Sequence, residues 1–577
     1  MSPPTKVSNS RSARKKAGSK SMNEELSKRI LLLCIEHLIP FEQINSSSFR
    51  LLFNFNNGLS FIPDPETLTH LANEMYSEYQ NYFKHYFENS LDKAIKISLS
   101  LHKWTPSNSL EPYVFANYHF INERFRLCEL PLGFFPYTEK NMSQHLIPNP
   151  VLKERLLFVT SNHDLDDYNL QMVKYLMDED GDITKSSQFH CLTKLFGEYL
   201  LSFFIEVAEI LSLETKLAVF DIGSITGAKL IPVLVCNFIY PIYIKFHHLS
   251  FEKLDPLPDD KDRVCWGTLK KLEHSHDKAY TMRILSCLIT YRANIEQLIS
   301  DSTSSISESD WELITFAYEI TIKFHEVLIT TLSYDVPVSH LLSKWVKMLI
   351  LHVLTITKRH SQLLSFNIEL PLKKLFDNLK ETHSKIEANS SLILATYLHP
   401  STKRFLRDDD VNAVNSFVES LSKEQENEKP TSIDSFDNVD DMILNLFDCS
   451  GKSTKECYNY ESSSMKEIKE TERNSYAKEV GPSLLSFWST YARKYPTLSQ
   501  LARNVLAVPI TTDRGFDQFK SAFTHLNSPS SASPEIVPLS QLIYFLHRLG
   551  TTYDLHAIDP KNLDLDIEDY RITDYEE

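Results

Sequence analysis

Residues 97–108 read ISLSLHKWTPSN, and the first half of this stretch decides the fold class. Ile97, Leu99 and Leu101 alternate with Ser98 and Ser100, the period-two pattern of a strand, and the strand is expected to end at His102. Two more runs, YVFANYHFI and RFRLCELPLGF, follow after short connections, as in an antiparallel meander. RLLFVTS and SQFHCLTKLFG supply further strand-like runs, separated by the helical pattern LDDYNLQMVKYLMDE. Three successive strands followed by strands alternating with helices predict a mixed sheet with helices, an α/β arrangement.

Outward from the sheet, long helices are expected to dominate. Only 12 glycines stand against 34 Phe and 26 Tyr, so tight turns are few and the core is rich in aromatics. AYTMRILSCLITYRANIEQLI, SESDWELITFAYEITIKFHEVLITTL, VSHLLSKWVKMLILHVLTITKRHSQLL and PLKKLFDNLKETHSKI carry apolar residues at helical spacing. Each run begins near a Ser, Asp or Pro that serves as a helix start. LIPVLVCNFIYPIYI is the most membrane-like stretch, but Pro232, Asn237 and Pro241 interrupt it. It is shorter than the roughly 18 to 20 apolar residues a span needs. It is therefore expected in the core, with no membrane partner.

At 577 residues with a net charge of -16 and a pI near 5.7, the chain is too long for one core and too acidic for a broad nucleic-acid surface. Residues 1–24 are the exception, a basic arm with Lys6, Arg11, Arg14, Lys15, Lys16 and Lys20 but no acid before residue 24 and no apolar segment of a secretory signal. It reads as a nuclear import signal, a phosphate-touching arm or a solvated tail, with the nucleus as the expected location. Eight cysteines form no CxxC pair and read as free thiols in a reducing compartment. The expected organisation continues with a helical lead-in at 25–93, the first part of the α/β core at 94–213 and a helical insertion at 214–420. A polar, serine-rich disordered linker follows at 421–480, then an ordered segment at 481–550 and an acidic tail at 551–577. DDMILNLFDC inside the linker reads as a short helical docking motif.

Near the C-terminus, LLSFWSTYARKYPTLSQLARNVLAVPITTDRGFDQF places Trp488, Tyr495, Pro496, Leu498, Ser499, Leu501, Ala502, Arg503, Leu506, Pro509, Thr511, Thr512 and Phe519 in a fixed order. This order resembles the C-terminal dimerisation segment of hAT (hobo/Ac/Tam3) transposases. Weaker likenesses run in the same order along the chain. They include the helical lead-in at IPFEQINSSSFRLLFNFNNGLSFIPDPETL, HDKAYTMRILSCLITYRANIEQLI, Trp311 at the head of the helical insertion, and LILATYLHPSTK, where His399 and Ser401 replace an acid and an arginine. The resemblance implies an RNase H-like domain interrupted by a helical insertion. The zinc-binding BED finger that usually precedes it in the family has no counterpart here.

Transposases of this family cut and join DNA with divalent metal ions held by two aspartates and a glutamate, because hard cations prefer anionic oxygen ligands. On the resemblance, the first aspartate belongs to an Asp-x-Trp-Thr pattern. LHKWTPSN keeps Trp104 and Thr105 but has His102 in the acid's place, and no Asp or Glu occurs between Lys96 and Leu110. The second belongs in Thr-x-Asp-Asn-Ala, where FVTSNHD keeps Thr160 but offers Asn162, with Asp164, Asp166 and Asp167 downstream. The Cys-x-x-His motif is reduced to Cys191 and Lys194, and the glutamate position falls on Phe516, near Asp513 and Asp517. His102, Asn162 and Phe516 are thus expected at former ligand positions, with no metal and no other cofactor.

AVFDIGSITGAK, around Asp221, looks like the strand-turn phosphate loop of actin-like ATPases, but a second phosphate loop is not apparent, so Asp221 reads as a turn residue. The resemblance implies a domesticated, catalytically inactive nuclear protein. It would act as a homodimer, or a heterodimer with a related chain, on DNA or chromatin, without a small-molecule substrate. A scaffold without DNA contact and a nuclease with displaced ligands stay open. Trp488, Tyr495, Pro496, Leu498, Leu501, Ala502 and Leu506 are the expected anchors of a dimer interface or of the chain's own core, and the sequence does not separate the two.

Overall fold

The computed structural model describes residues 26–35, 37–54, 62–85, 95–105, 112–137, 155–162, 188–217, 229–242, 281–293, 295–296, 306–332, 337–360, 368–428, 482–493, 495–513, 515–517 and 519–520. The basic arm, LDDYNLQMVKYLMDE, the Asp221 turn, DDMILNLFDC and the acidic tail lie outside the described residues. The chain divides into two compact units, Met1–Ser90 with Gln518–Glu577, and Leu91–Asp517.

In the first unit, residues 26–35 are helical, and a 3-10 turn at Phe41–Asn45 leads into helices α1 (Ser47–Asn54) and α2 (Pro65–His85). Asp64 starts α2: its carboxylate accepts from the Thr67 hydroxyl and from the Thr67 amide, the latter at 2.7 Å, and these hydrogen bonds hold the carboxyl below its usual range.

The second unit holds one five-stranded mixed sheet, ordered β3-β2-β1-β4-β5. Its strands are β1 (Ile97–Trp104), β2 (Tyr113–Ile121), β3 (Leu127–Pro136), β4 (Leu156–Ser161) and β5 (Gln188–His190). β1, β2 and β3 pair antiparallel, whereas β1–β4 and β4–β5 are parallel. The central strand β1 is covered on both faces, so Ser98 and Ser100 are as buried as Ile97 and Leu99.

Two local expectations need correction. The first strand does not end at His102, because Lys103 still pairs with Val114 and Trp104 with Tyr113. The aromatic side chain of Trp104 is buried and favours continuing the pleat. SQFHCLTKLFG is a strand only over Gln188–His190, and helix α3 (Leu192–Ile210) starts two residues later. The helical period wins there because Leu192, Phe196, Leu200, Phe203 and Val207 form one buried stripe that extends well past the end of that run.

Nine further helices of this unit follow: α4 (Leu230–Phe238), α5 (Thr281–Thr290), α6 (Glu308–Thr331), α7 (Leu342–His360), α8 (Glu369–Glu387), α9 (Ser390–Tyr397), the single turn α10 (Pro400–Lys403), α11 (Asp408–Glu428) and α12 (Pro482–Tyr491). A tenth, α13 (Pro496–Leu506), closes the series among the described residues. Helix α4 carries most of the membrane-like run and lies in the core; no described helix is long and apolar enough to cross a membrane. Helix α6 opens with a capping box. Ser307 Oγ accepts the Asp310 amide at 3.2 Å, and the Ser307 amide donates to Asp310 Oδ2 at 2.8 Å. Helix α11 runs past residue 420, the boundary expected from composition. Asp408, Asp409 and Asp410 favour its N-terminus, and Val414 and Val418 bury its first turns.

A continuous hydrophobic cluster joins the sheet, the helices of residues 230–418 and the segment 484–510. The buried anchors Trp311, Trp488 and Tyr397 are among its largest side chains. Packing therefore makes these stretches one folded body.

Candidate functional site

The C-terminal strap, residues 509–517, crosses the ends of the parallel strands and ties four elements together. The Leu192 amide at the start of α3 donates to the Ile510 carbonyl at 2.9 Å, which satisfies one orphan donor of the helix N-terminus. Thr193 and Thr511 hydroxyls meet at 3.0 Å, and the Thr160 hydroxyl on β4 donates to the Pro509 carbonyl. On β1, His102 Nδ1 lies 2.8 Å from Thr512 Oγ1 and 3.3 Å from Asp513 Oδ1. Gly515 lets the strap approach the sheet: a Cβ there would meet Asn117 Nδ2 at 2.2 Å.

This strap brings the predicted positions together at one end of β1. Phe516 is fully buried and stacks on His102, with ring centroids 3.8 Å apart and planes 13° from parallel. Trp104 meets the same ring edge-on at 5.5 Å, and Phe115 lies at 5.8 Å. Asn162 sits just past β4, and its amide hydrogen-bonds both backbone groups of Lys103. The Lys103 amide donates to Asn162 Oδ1 at 2.7 Å, and Asn162 Nδ2 donates to the Lys103 carbonyl at 3.1 Å. An aspartate cannot make the second bond, because a carboxylate has no donor. Asn162 thus extends the β1–β4 pairing by one side chain.

Chemically this arrangement does not fit a divalent-metal centre. Mg²⁺ takes oxygen ligands, whereas the three positions offer an imidazole, an amide already engaged with backbone, and a phenyl ring. Asp513 faces His102, and both side chains are 3 % exposed. Among the described residues, no group of three or more His, Cys, Asp or Glu is placed to hold a metal ion. Cys191 lies under the strap, 3.4 Å from Thr511 Oγ1. Burial and the charge of Asp513 push its thiol above the usual range, which disfavours the thiolate.

A second polar group lies nearby, which sequence inspection missed. Ser100 Oγ is 2.8 Å from His119 Nε2, and His119 Nδ1 is 3.5 Å from Glu129 Oε1. The atoms follow the order of a Ser-His-acid relay, placed across three strands by the register that sets His119 opposite Glu129. Ser100, however, lies in mid-strand, paired with Asn117 on one side and Thr160 on the other, and is 3 % exposed. The cavity against His119 and Glu129 is only ≈ 20 Å³, about one water, and Ser100 is not among the residues that line it. The trio is a buried polar network within the sheet.

Most of the expected anchors of the C-terminal segment are inside the chain's own core. Trp488, Tyr495, Leu498, Ala502 and Leu506 are buried and Leu501 is half-buried, while Pro496 is exposed at the first turn of α13. Ser499 Oγ donates to the Trp488 carbonyl at 3.4 Å, and the Asn504 side chain accepts the Lys96 amide ahead of β1 at 2.9 Å. Residues 462–535 match the model of the hAT family C-terminal dimerisation region. No curated protein matches the chain.

Proposed function

We propose that this chain, which is hAT transposase-like by the dimerisation region at residues 462–535, is a transposase-derived nuclear protein. On this reading it has lost the cutting chemistry and works as a dimeric DNA- or chromatin-associated factor. The match suggests self-association. The strand order β3-β2-β1-β4-β5, antiparallel through β1 and parallel beyond it, supports an RNase H-like core. The observation that carries the loss of catalysis is the convergence of His102, Asn162 and Phe516 at one end of β1, where the chemistry calls for carboxylates.

The test uses the full-length protein with DNA, Mg²⁺ and Mn²⁺. The expected result is no cleavage, no strand transfer and no tight Mn²⁺ binding by electron paramagnetic resonance. Mn²⁺-dependent cleavage that disappears in Asp513→Asn would overturn this reading and favour a nuclease with displaced ligands. DNA contact is assigned to the basic arm around Arg11, Arg14, Lys15, Lys16 and Lys20, so neutralising those five residues should flatten the salt dependence of binding. A second reading, a protein scaffold without DNA contact, is favoured by the net charge of -16. Absence of any gel shift with the intact arm would select it. A fluorescent fusion that stays outside the nucleus would refute the location.

A further inference from the structure

Away from the strap, two histidines lie face to face in the helical body. A 3-10 turn, Ser339–Leu341, leads into α7 and packs against α7, α9 and α13. Its middle residue, His340, is fully buried, and among the described residues neither ring nitrogen reaches a hydrogen-bond partner. The ring stacks on His399, with centroids 4.8 Å apart and planes at 22°. His399 is half-buried and caps α10. One residue before His340, Ser339 Oγ donates to the Val505 carbonyl of α13 at 3.3 Å.

Among the described residues, the charged group that acts on both rings is a cation. The groups acting electrostatically on His340 are His399 and Lys344 of α7, and Lys344 also acts on His399. Among the described residues of α9 the titratable side chain is Tyr397, whose hydroxyl burial pushes up to about 12. On α13 it is Arg503, whose guanidinium lies over the Phe125 ring, 5.7 Å from its centroid. Among the described residues, the turn, α7, α9 and α13 carry no Asp or Glu; α8 and α11, which pack on α9, carry acids such as Glu387 and Asp408, and these are not among the groups acting on either ring. Burial first, and then the neighbouring cations, hold His340 well below the usual histidine range and His399 down to about 4.

We propose that the His340–His399 stack is an acid-sensitive latch: neutral, it holds the turn Ser339–Leu341 on Val505, and protonated, it frees helix α13 from the helical body. The sign follows from linkage. Both rings bind a proton more weakly folded than open, so the closed state is fully favoured above an ordinary histidine pKa near 6.5 and loses ground as pH falls towards 4. Each proton taken up on opening shifts the opening equilibrium about tenfold per pH unit in that window.

The test is hydrogen exchange read by mass spectrometry on the full chain at pH 7.5, 6.5 and 5.5, corrected for intrinsic exchange. Peptides covering residues 496–506 should lose protection about thirtyfold between pH 6.5 and 5.5, roughly fivefold for each ring, while β1 and β2 peptides hold theirs. The double variant His340→Phe/His399→Phe keeps the stacked pair but cannot titrate, and its α13 protection should be flat with pH. If that variant does not fold, His399→Phe alone should reduce the slope. A flat wild-type profile, or a variant with the wild-type slope, overturns the latch. So does an imidazole carbon resonance of either histidine that titrates near 6.5.

Discussion

Restoring an acid at residue 102 probes the strap most directly. Asp Oδ1 stands the same number of bonds from Cβ as His Nδ1, so His102→Asp places a carboxylate oxygen about where the imidazole nitrogen lies, 3.3 Å from Asp513 Oδ1. Two losses follow. Breaking a buried pair by removing one partner costs about 3–5 kcal/mol. Two like charges at that distance repel by roughly 5 kcal/mol at an effective dielectric of 20, enough to keep one shared proton on the pair well above the usual carboxylate range. The folded-state affinity for that proton is raised, so the variant's stability is greatest below pH 4 and falls as pH rises. Because a chain of two units does not unfold in one step, the readout is exchange protection of β1 and the strap peptides in EDTA. Relative to wild type, the variant should lose about two to three orders of magnitude of protection at pH 5 and up to about three orders more at pH 8, where the repulsion adds to the broken pair. Added Mn²⁺ should recover part of it by joining the two carboxylates. Wild-type protection at pH 8, or a loss independent of pH, would refute the pairing of residues 102 and 513.

The other perturbations act on packing and capping. Phe516→Ala removes a fully buried ring from His102, Trp104 and Phe115 and should cost about 3–5 kcal/mol, read as lost exchange protection in the same peptides. Gly515→Ala drives a methyl into the buried Asn117 amide and should cost about 1–3 kcal/mol; Asn117→Ala on top should recover stability if that clash is the cause. Ser307→Ala takes away one half of the capping box and should cost about 1 kcal/mol, seen as faster exchange confined to the first turns of α6.

Much of this architecture was legible in the chain because its signals are local. The alternation in ISLSL, the nine residues YVFANYHFI and the Ser307–Asp310 cap each fix their element with neighbours a few residues away. The start of α3 was not legible in SQFHCLTKLFG, since the stripe that decides for helix continues to Val207, beyond that window. The likeness to a family located His102, Asn162 and Phe516, and the structure brings them to one place. What it did not disclose is what those residues now do: the partners of His102 sit at the far end of the chain, and Asn162 bonds to backbone rather than to any side chain. Nor did the sequence single out Ser100, His119 and Glu129, or His340 beside His399. The local pattern around each says nothing of its partner, and only the register of the sheet or the packing of helices sets them side by side.

The strap also fixes an order of events in the cell. His102 and Thr512 are 410 residues apart, so a ribosome adding about 5–20 residues per second makes β1 roughly 20–80 s before the partner that closes it. During that interval Trp104 and Phe115 await the ring of Phe516, and Cys191 and Leu192 await residues 510–512. The nascent chain therefore carries an incomplete sheet through most of its own synthesis, and a chain that stops short of residue 509 leaves that end of the sheet open to chaperones and proteases.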